Sequence, residues 1–341
     1  MGKNFPKIIS LKDNSSYLEK TIQLIEKSFH YSPNHSFAID FAPLMSEENH
    51  HNCFIMVDEN QNVLAHVGAK DKQIEINNKK FNITMLGGIA VDEKYRGQGM
   101  FHELFQDVLA EKKSDSSFFL LWSDQEKLYS KYGFILCGHQ FENISQSYSD
   151  QFTQTTLAQL SEVEFQEIID LYEKSFKKIH LTVDRSQHDW EILKKITSSD
   201  LYIKKSDNKI TDYFFKGKGQ DLGGIIFEYG STSDIKNLIN LGADGSKIWT
   251  GFKLVENSIE QFQFMLAPGD LKKFSDFIHE YSGNKINVRQ INQMKQEIYF
   301  DFNNETLALN LDEFMHGVFG PQSFEEIDEI KPIFISGLDS I

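Results

Sequence analysis

The most constraining feature of this chain is a glycine-interrupted junction between an apolar run and an amphipathic segment. Residues 83–91, ITMLGGIAV, read as a strand in which Gly87 and Gly88 permit a bulge or a close backbone approach. The polar stretch 92–95 leads into Arg96-Gly97-Gln98-Gly99-Met100-Phe101. From there Met100, Phe101, Leu104, Phe105, Val108 and Leu109 recur at helical spacing. Glycines at 97 and 99 allow backbone conformations that aim several N–H groups into one concavity. The helix start adds its unpaired N–H groups and the positive end of its dipole. Such a cradle suits a pyrophosphate. It is not a Walker A loop, because no G-K-[ST] follows, and the G-x-G-x-x-G dinucleotide fingerprint is not completed. Taken alone, the pattern is equally that of an ordinary glycine turn.

The surrounding segments predict a mixed α/β domain. Residues 7–11 (KIISL) read as a short strand, and Ser16 with Glu19 has the spacing of a capping box before Leu18, Ile22, Ile25 and Phe29. Residues 53–69 form a hairpin pattern around the polar DENQN, and a second hairpin is expected to turn at Asn77 and Asn78. FFLLW (118–122) reads as a buried strand, residues 125–131 as a short helix, and 134–137 as the start of another strand.

Downstream of the glycine loop stands Leu128-Tyr129-Ser130-Lys131-Tyr132-Gly133-Phe134. The run V-D-E-K-Y-R-G-Q-G-M-F after a strand, then a long helix, a strand and Y-x-x-x-G-F, resembles the GNAT superfamily of acyl-CoA-dependent N-acetyltransferases. The likeness covers about residues 5–145, with the two motifs about 30 residues apart. The resemblance implies a mixed sheet whose fourth and fifth strands splay around acyl-CoA. It places the backbone of Ile89, Ala90 and Val91 along the pantetheine arm and residues Arg96, Gly97, Gln98, Gly99, Met100 and Phe101 around the pyrophosphate. Lys94, Arg96 and Lys131 would supply local positive charge. The implied cosubstrate is acetyl-CoA, attacked directly by a neutral amine, with a strand N–H near Ile89 facing the developing oxyanion. Tyr129, four residues before Gly133, stands where the family carries the tyrosine that protonates the leaving thiolate. Tyr132 is its competitor and is expected to pack. The sequence departs from the family in lacking a glutamate on the strand before the loop. Glu75, Asp124, a water relay and the chain terminus are the alternatives.

The second half reads as a degenerate copy of the first. Glu-Lys-Ser-Phe occurs at 26–29 and 173–176, each after S-x-x-E, since Ser161 and Glu164 repeat the box. Leu-Gly-Gly-Ile occurs at 86–89 and 222–225, where both are expected in strands, and 200–217 mirrors the first hairpin. No Arg-Gly-x-Gly survives in the second copy, so it is not expected to bind CoA. An unrelated α/β domain is the alternative. Residues 271–281 and 307–321 read as helices, and everything after 231 is expected to complete the second copy, leaving no room for a third unit. The final KPIFISGLDSI is apolar for a terminus and is expected to be docked. Tandem GNAT proteins of the enhanced-intracellular-survival type place the terminal carboxylate in the first domain's active site. That resemblance makes the Ile341 carboxylate a base or substrate anchor.

The resulting fold class is α/β with a mixed sheet, in two tandem GNAT-like domains, residues 1–148 catalytic and 155–341 degenerate. The expected activity is N-acetylation of a primary amine on a small molecule or peptide; the alternative is a non-catalytic acyl-CoA-binding regulatory module. With 35 Lys plus Arg against 50 Asp plus Glu, the net charge of −15 argues against a nucleic-acid partner and suits a cationic one. Paired-domain aminoacyl transferases that use charged tRNA are disfavoured on the same ground. No apolar run approaches a membrane span, and the N-terminus shows no continuous apolar h-region. Pro6 stands where a myristoylation signal wants Ser or Thr. A cytoplasmic protein is therefore expected, with Cys53 and Cys137 as buried thiols. No metal is expected: the eleven histidines form no H-E-x-x-H or Cys/His framework. Lys204-Lys205 and Lys216-x-Lys218 read as solvated loops, and Phe29, Phe37 and Phe41 as core or as the wall of an acceptor cleft. Oligomeric state is not readable from the sequence.

Overall fold

The computed structural model describes residues 6–145, 151–233, 235–241, 245–324 and 331–341. The Gly2 motif therefore lies outside the described residues. The chain opens with β1 (Lys7–Ser10), α1 (Leu18–Ser28), α2 (Phe37–Asp40) and α3 (Ala42–Met45). There follow β2 (Cys53–Val57), β3 (Val63–Ile76), β4 (Lys79–Val91), α4 (Met100–Lys113), β5 (Phe118–Leu121), α5 (Glu126–Tyr129) and β6 (Ile135–Ile144). The second half comprises β7 (Thr153–Thr155), α6 (Glu162–Leu171), α7 (Lys177–Ile179), α8 (Gln187–Leu193), β8 (Asp200–Ser206), β9 (Lys209–Lys216), β10 (Ile225–Ser231), β11 (Lys247–Thr250) and β12 (Ile259–Pro268). It ends with α9 (Leu271–Tyr281), β13 (Ile286–Asn292), β14 (Glu297–Phe302), β15 (Glu305–Asn310) and α10 (Leu311–Phe319).

Local signals explain many of these elements. Asn77 and Asn78 adopt φ of 51° and 65°, the left-handed pair that closes a two-residue hairpin between β3 and β4. Asp207 and Asn208 do the same between β8 and β9. Ser161 and Glu164 form the expected capping box at α6. The box expected at Ser16 and Glu19 does not form. Asn14 caps a preceding 3-10 turn instead, taking the Ser16 N–H at 3.1 Å, because its side chain reaches that donor first. Leu222-Gly223-Gly224 is a turn and not strand; β10 begins at Ile225. The helix expected over 307–321 is half strand: alternating exposure over 305–310 pairs β15 with β14, and Asn310 then caps α10.

Twelve strands form one sheet in the order β1-β2-β3-β4-β5-β12-β6-β11-β10-β9-β8-β7. Strand β12 lies antiparallel between β5 and β6, so residues from late in the chain complete the first half's sheet. Strand β6 in turn pairs with β11, and the two halves share one continuous ladder. Residues after 231 therefore do more than complete a second copy. Strands β13 to β15 make a separate three-stranded sheet flanked by α9 and α10, a third unit that the sequence reading had no room for. Phe277 of α9 meets Phe81 at 5.3 Å, Phe118 at 4.8 Å and Phe319 at 6.4 Å, and so packs this unit onto one face of the first half's sheet. The opposite face, with Phe119 and Leu121, carries Leu104, Phe105 and Val108 of α4. Strand pleating sends alternate residues of FFLL to the two layers.

Cys53 and Cys137 are free and buried, and burial pushes the Cys53 thiol up to about 12. Among the described residues, no helix is long and apolar enough to cross a membrane. Phe277→Ala should cost about 3–5 kcal/mol of stability, read as a lower urea midpoint. A loss below about 1 kcal/mol would show that the third unit is not part of the core.

Candidate active site

The cleft forms where β4 leaves β5. Their parallel ladder has two recorded pairs, Thr84 with Phe119 and Met85 with Leu120. Among the described residues β4 is paired only with β3 from Leu86 onward, so its other edge borders the cavity. A cavity of about 1040 Å³ opens there, between β4, the 95–99 loop, the start of α4, α5 and the second half of the chain. Ile89, Ala90 and Val91 all line it, presenting an edge to which an extended ligand can add.

The glycine loop closes one end. Gly97 has φ 73° and Gly99 φ 92°, conformations that L-residues adopt only at a cost. Gly99 is the N-cap of α4 and offers no side chain to the first-turn N–H groups. A β-carbon built at either glycine would meet nothing within 4 Å, so the hollow beside the helix start is free to take an anion. Arg96 Nε donates to the Val91 carbonyl at 3.2 Å, and Gln98 Nε2 to the Lys94 carbonyl at 2.9 Å; both brace the loop. Met100 is buried and anchors the helix start. Phe101 stacks on Phe105 at 4.9 Å. The Gln98 side chain bonds back to the loop, and Gln98 does not line the cavity. The loop and the unpaired strand edge fit a CoA-like diphosphate with an extended arm.

Tyr129 lies on the cavity wall, only 6% exposed, with its ring among Phe101, Phe105 and Phe134. Burial first, and the charge of Asp124 second, push its phenol up to about 12, so it stays a proton donor throughout the neutral range. Tyr132 also borders the cavity, but its hydroxyl is engaged with His102 Nδ1 at 3.0 Å. Glu75 is exposed on β3 and does not line the cavity, whereas Asp124 does.

The chain terminus reaches the same cavity. Ile341 is 7% exposed, and a β-carbon at Gly87 would collide with its carboxyl carbon and lie 2.5 Å from its oxygen. Gly87 therefore makes room for the terminal carboxylate on the strand that lacks a glutamate. Phe29, Phe37 and Phe41 line the wall nearby, with Phe37 and Phe41 ring centroids 4.7 Å apart. The Tyr31 hydroxyl is buried near Asp40, and its phenol is raised by burial, then by Asp221 and Asp40.

Several cavity residues come from the second half and were not anticipated, among them Lys218, Asp221, Phe227 and Trp249. Lys218 corrects the solvated-loop reading outright, being 1% exposed. It donates to Gly337 O at 2.6 Å, Ser340 O at 2.8 Å and Ser340 Oγ at 2.9 Å, and its ammonium stands 4.3 Å from the Phe41 ring centroid. Burial draws its ammonium down to about 7. Burial also raises the Asp221 carboxyl, although that residue keeps an exposed face toward the cleft. The flanking Gly217 and Gly219, both at positive φ, were the one local sign that this loop turns sharply.

Residues 10–137 match the family model of the acetyltransferase (GNAT) domain. No curated protein matches the sequence. Solved structures share its fold at low identity. One is a protein of unknown function from Enterococcus faecalis described as a probable N-acyltransferase, at 14% identity and TM-score 0.59, covering 89% of this chain and 84% of that one. Eis1 from Mycobacterium abscessus is similar at 10% identity and TM-score 0.55, over 89% and 84%. Saccharomyces cerevisiae N-myristoyltransferase with bound myristoyl-CoA is similar at 11% identity and TM-score 0.51, over 79% and 80%.

Gly99→Val should leave the fold intact and lower acyl-CoA affinity at least about tenfold, because a β-branched residue resists this φ and fills the hollow. Calorimetric titration reads it, and undiminished affinity would remove the phosphate role from this loop.

Proposed function

We propose that the chain is a GNAT acyltransferase, on the match of residues 10–137 to that family's model, and that it moves an acetyl group from acetyl-CoA to a primary amine of a small molecule or peptide. An acyl-CoA cosubstrate is supported by the family match and by the shared fold of a myristoyltransferase that holds one. The carrying observation is the convergence on one cleft of an unpaired β4 edge, a glycine loop with free space at a helix start, Tyr129 and the terminal carboxylate. Residues 1–148 are the catalytic domain in this reading. Residues 155–341 hold a degenerate relative that keeps no Arg-Gly-x-Gly, together with β12 of the first sheet and the β13–β15 unit.

Direct transfer needs a neutral amine, whereas an alkylammonium of pKa about 10 is protonated at neutral pH. The Ile341 carboxylate takes that proton, directly or through water. Strand β4 holds the thioester along its open edge and turns an N–H near Ile89 toward the carbonyl oxygen as it gains charge. The amine nitrogen bonds to the carbonyl carbon, the carbon–sulfur bond breaks, the Tyr129 hydroxyl gives its proton to the departing thiolate, and the proton that the nitrogen sheds on becoming an amide restores the Tyr129 phenol through water. Arg96, Gly97, Gly99, Met100 and Phe101 keep the diphosphate at the α4 terminus. Lys131, on the cavity wall, offsets the repulsion of a chain at −15, whereas Lys94 does not line the cavity. That overall charge favours a cationic acceptor.

Tyr129→Phe should lower kcat about a hundredfold in an amine-acetylation assay while the acetyl-CoA Kd stays within twofold. Wild-type protein that binds acetyl-CoA but turns over no amine in a broad panel would favour the non-catalytic module. For wild type, kcat/KM should rise with pH as the acceptor loses its proton. The Tyr129 phenol should add no falling limb at its ordinary value near 10, because it sits near 12. Removing the last three residues should abolish turnover and leave acetyl-CoA binding near normal; unchanged turnover would take the base role from Ile341.

A further inference from the structure

The last ten residues are held by the second half of the chain. Leu181 N–H donates to Pro332 O, and Phe334 N–H to Leu181 O, both at 2.9 Å. Gln263 Nε2 then donates to Ile335 O at 3.3 Å. The Ser336 hydroxyl donates to Glu228, and the N–H groups of Asp339 and Ser340 return to Ser336 O, folding 336–340 into one tight turn. Gly337 sits against Leu222 and Phe227 with no space for a side chain.

Two buried basic side chains lock that turn. Arg185 donates to Asp339 Oδ2 at 3.0 Å from Nε and 2.7 Å from NH2, and to Glu228 at 3.0 and 2.5 Å. Its guanidinium lies 4.1 Å from the Tyr172 ring centroid and 4.5 Å from that of Trp190, and all three charged side chains are at most 1% exposed. Lys218 takes the other side of the turn through Gly337 and Ser340. One residue beyond Ser340, the carboxylate of Ile341 rests on Gly87.

A buried charge cluster is a poor way to gain stability, since apolar residues of the same volume serve as well or better. What directional bonds supply is position. We propose that Lys218 and Arg185 are positioning residues of the acyl transfer: the degenerate half is kept as a clamp that fixes the terminal carboxylate at the edge of β4, where the first half carries no glutamate. The inference rests on the reading of Ile341 as the base. It adds which residues make that base effective and why the two halves stay joined in one chain.

The test uses the full-length chain with Lys218→Met, the restoring substitution Lys218→Arg, and two readouts. The first is release of Ile341 and Ser340 by a serine carboxypeptidase, followed by mass spectrometry under native conditions. The second is steady-state acetylation of an amine that wild type accepts. Lys218→Met should release its terminal residues about tenfold faster, as expected for losing three buried hydrogen bonds. It should lose about tenfold or more in kcat, with KM for acetyl-CoA within about twofold. Lys218→Arg should recover much of both. An unchanged release rate would overturn the clamp, whatever turnover does, and would leave the base assignment standing. Faster release with undiminished kcat would instead overturn the base assignment, and with it the positioning role. If Lys218→Met does not fold, judged by its thermal melt, Ser340→Gly removes one of the three acceptors. It should show a smaller change in the same direction in both readouts; no change in release would again overturn the proposal.

Discussion

The cleft exists because a parallel ladder stops. Thr84 with Phe119 and Met85 with Leu120 are the two recorded pairs between β4 and β5, and beyond them β4 keeps a free edge. Backbone N–H and C=O groups need partners, so an unpaired strand edge inside a protein is a standing invitation to an extended ligand. Gly87 and Gly88 sit at the parting point. Gly88 takes φ 59° and its carbonyl is held by His66 Nδ1 at 2.6 Å, while Gly87 leaves space for Ile341. Burial keeps that histidine neutral, drawing it down to about 4. The glycine loop, α4 and α5 follow the parted strands directly in the chain, which is why the loop and Tyr129 reach the same cavity.

The parting has to be stabilised, and the rest of the chain does this. Strand β12 fills the space between β5 and β6, and α9 and α10 cover the face of the sheet opposite α4. The first half alone is thus an incomplete layer, and the boundary expected after residue 148 is crossed in both directions by β6 and β12. The second half contributes walls to the cavity and a rigid mount for the terminus, and its own parallel pair, β10 with β11, is equally short.

Legibility in the sequence followed the range of the interactions. Hairpins at Asn77-Asn78, the capping box at Ser161 and the helix start at Gly99 depend on residues a few positions apart, and pattern alone predicted them. The pairing of the R-G-Q-G loop with the later tyrosine motif was legible through the family resemblance. Lys218 was misread because a lysine between two glycines is ordinarily solvated. Its burial depends on Phe41 and on carbonyls 119 and 122 residues further along. The third unit was missed because β15 is short and runs straight into α10, so that an alternating pattern and a helical one merge within 307–321.

The family resemblance pointed to Tyr129 as the candidate acid; by itself the sequence determined the class of fold, a glycine loop at a helix start and an apolar tail that must dock somewhere. Each follows from conformational preferences or periodicity acting within one element. Only the tertiary structure decided which strand completes the first sheet, where the tail ends and what holds it there. Those outcomes turn on partners distant in the chain, and nothing in a local pattern specifies which buried surface a given strand, lysine or carboxylate will meet.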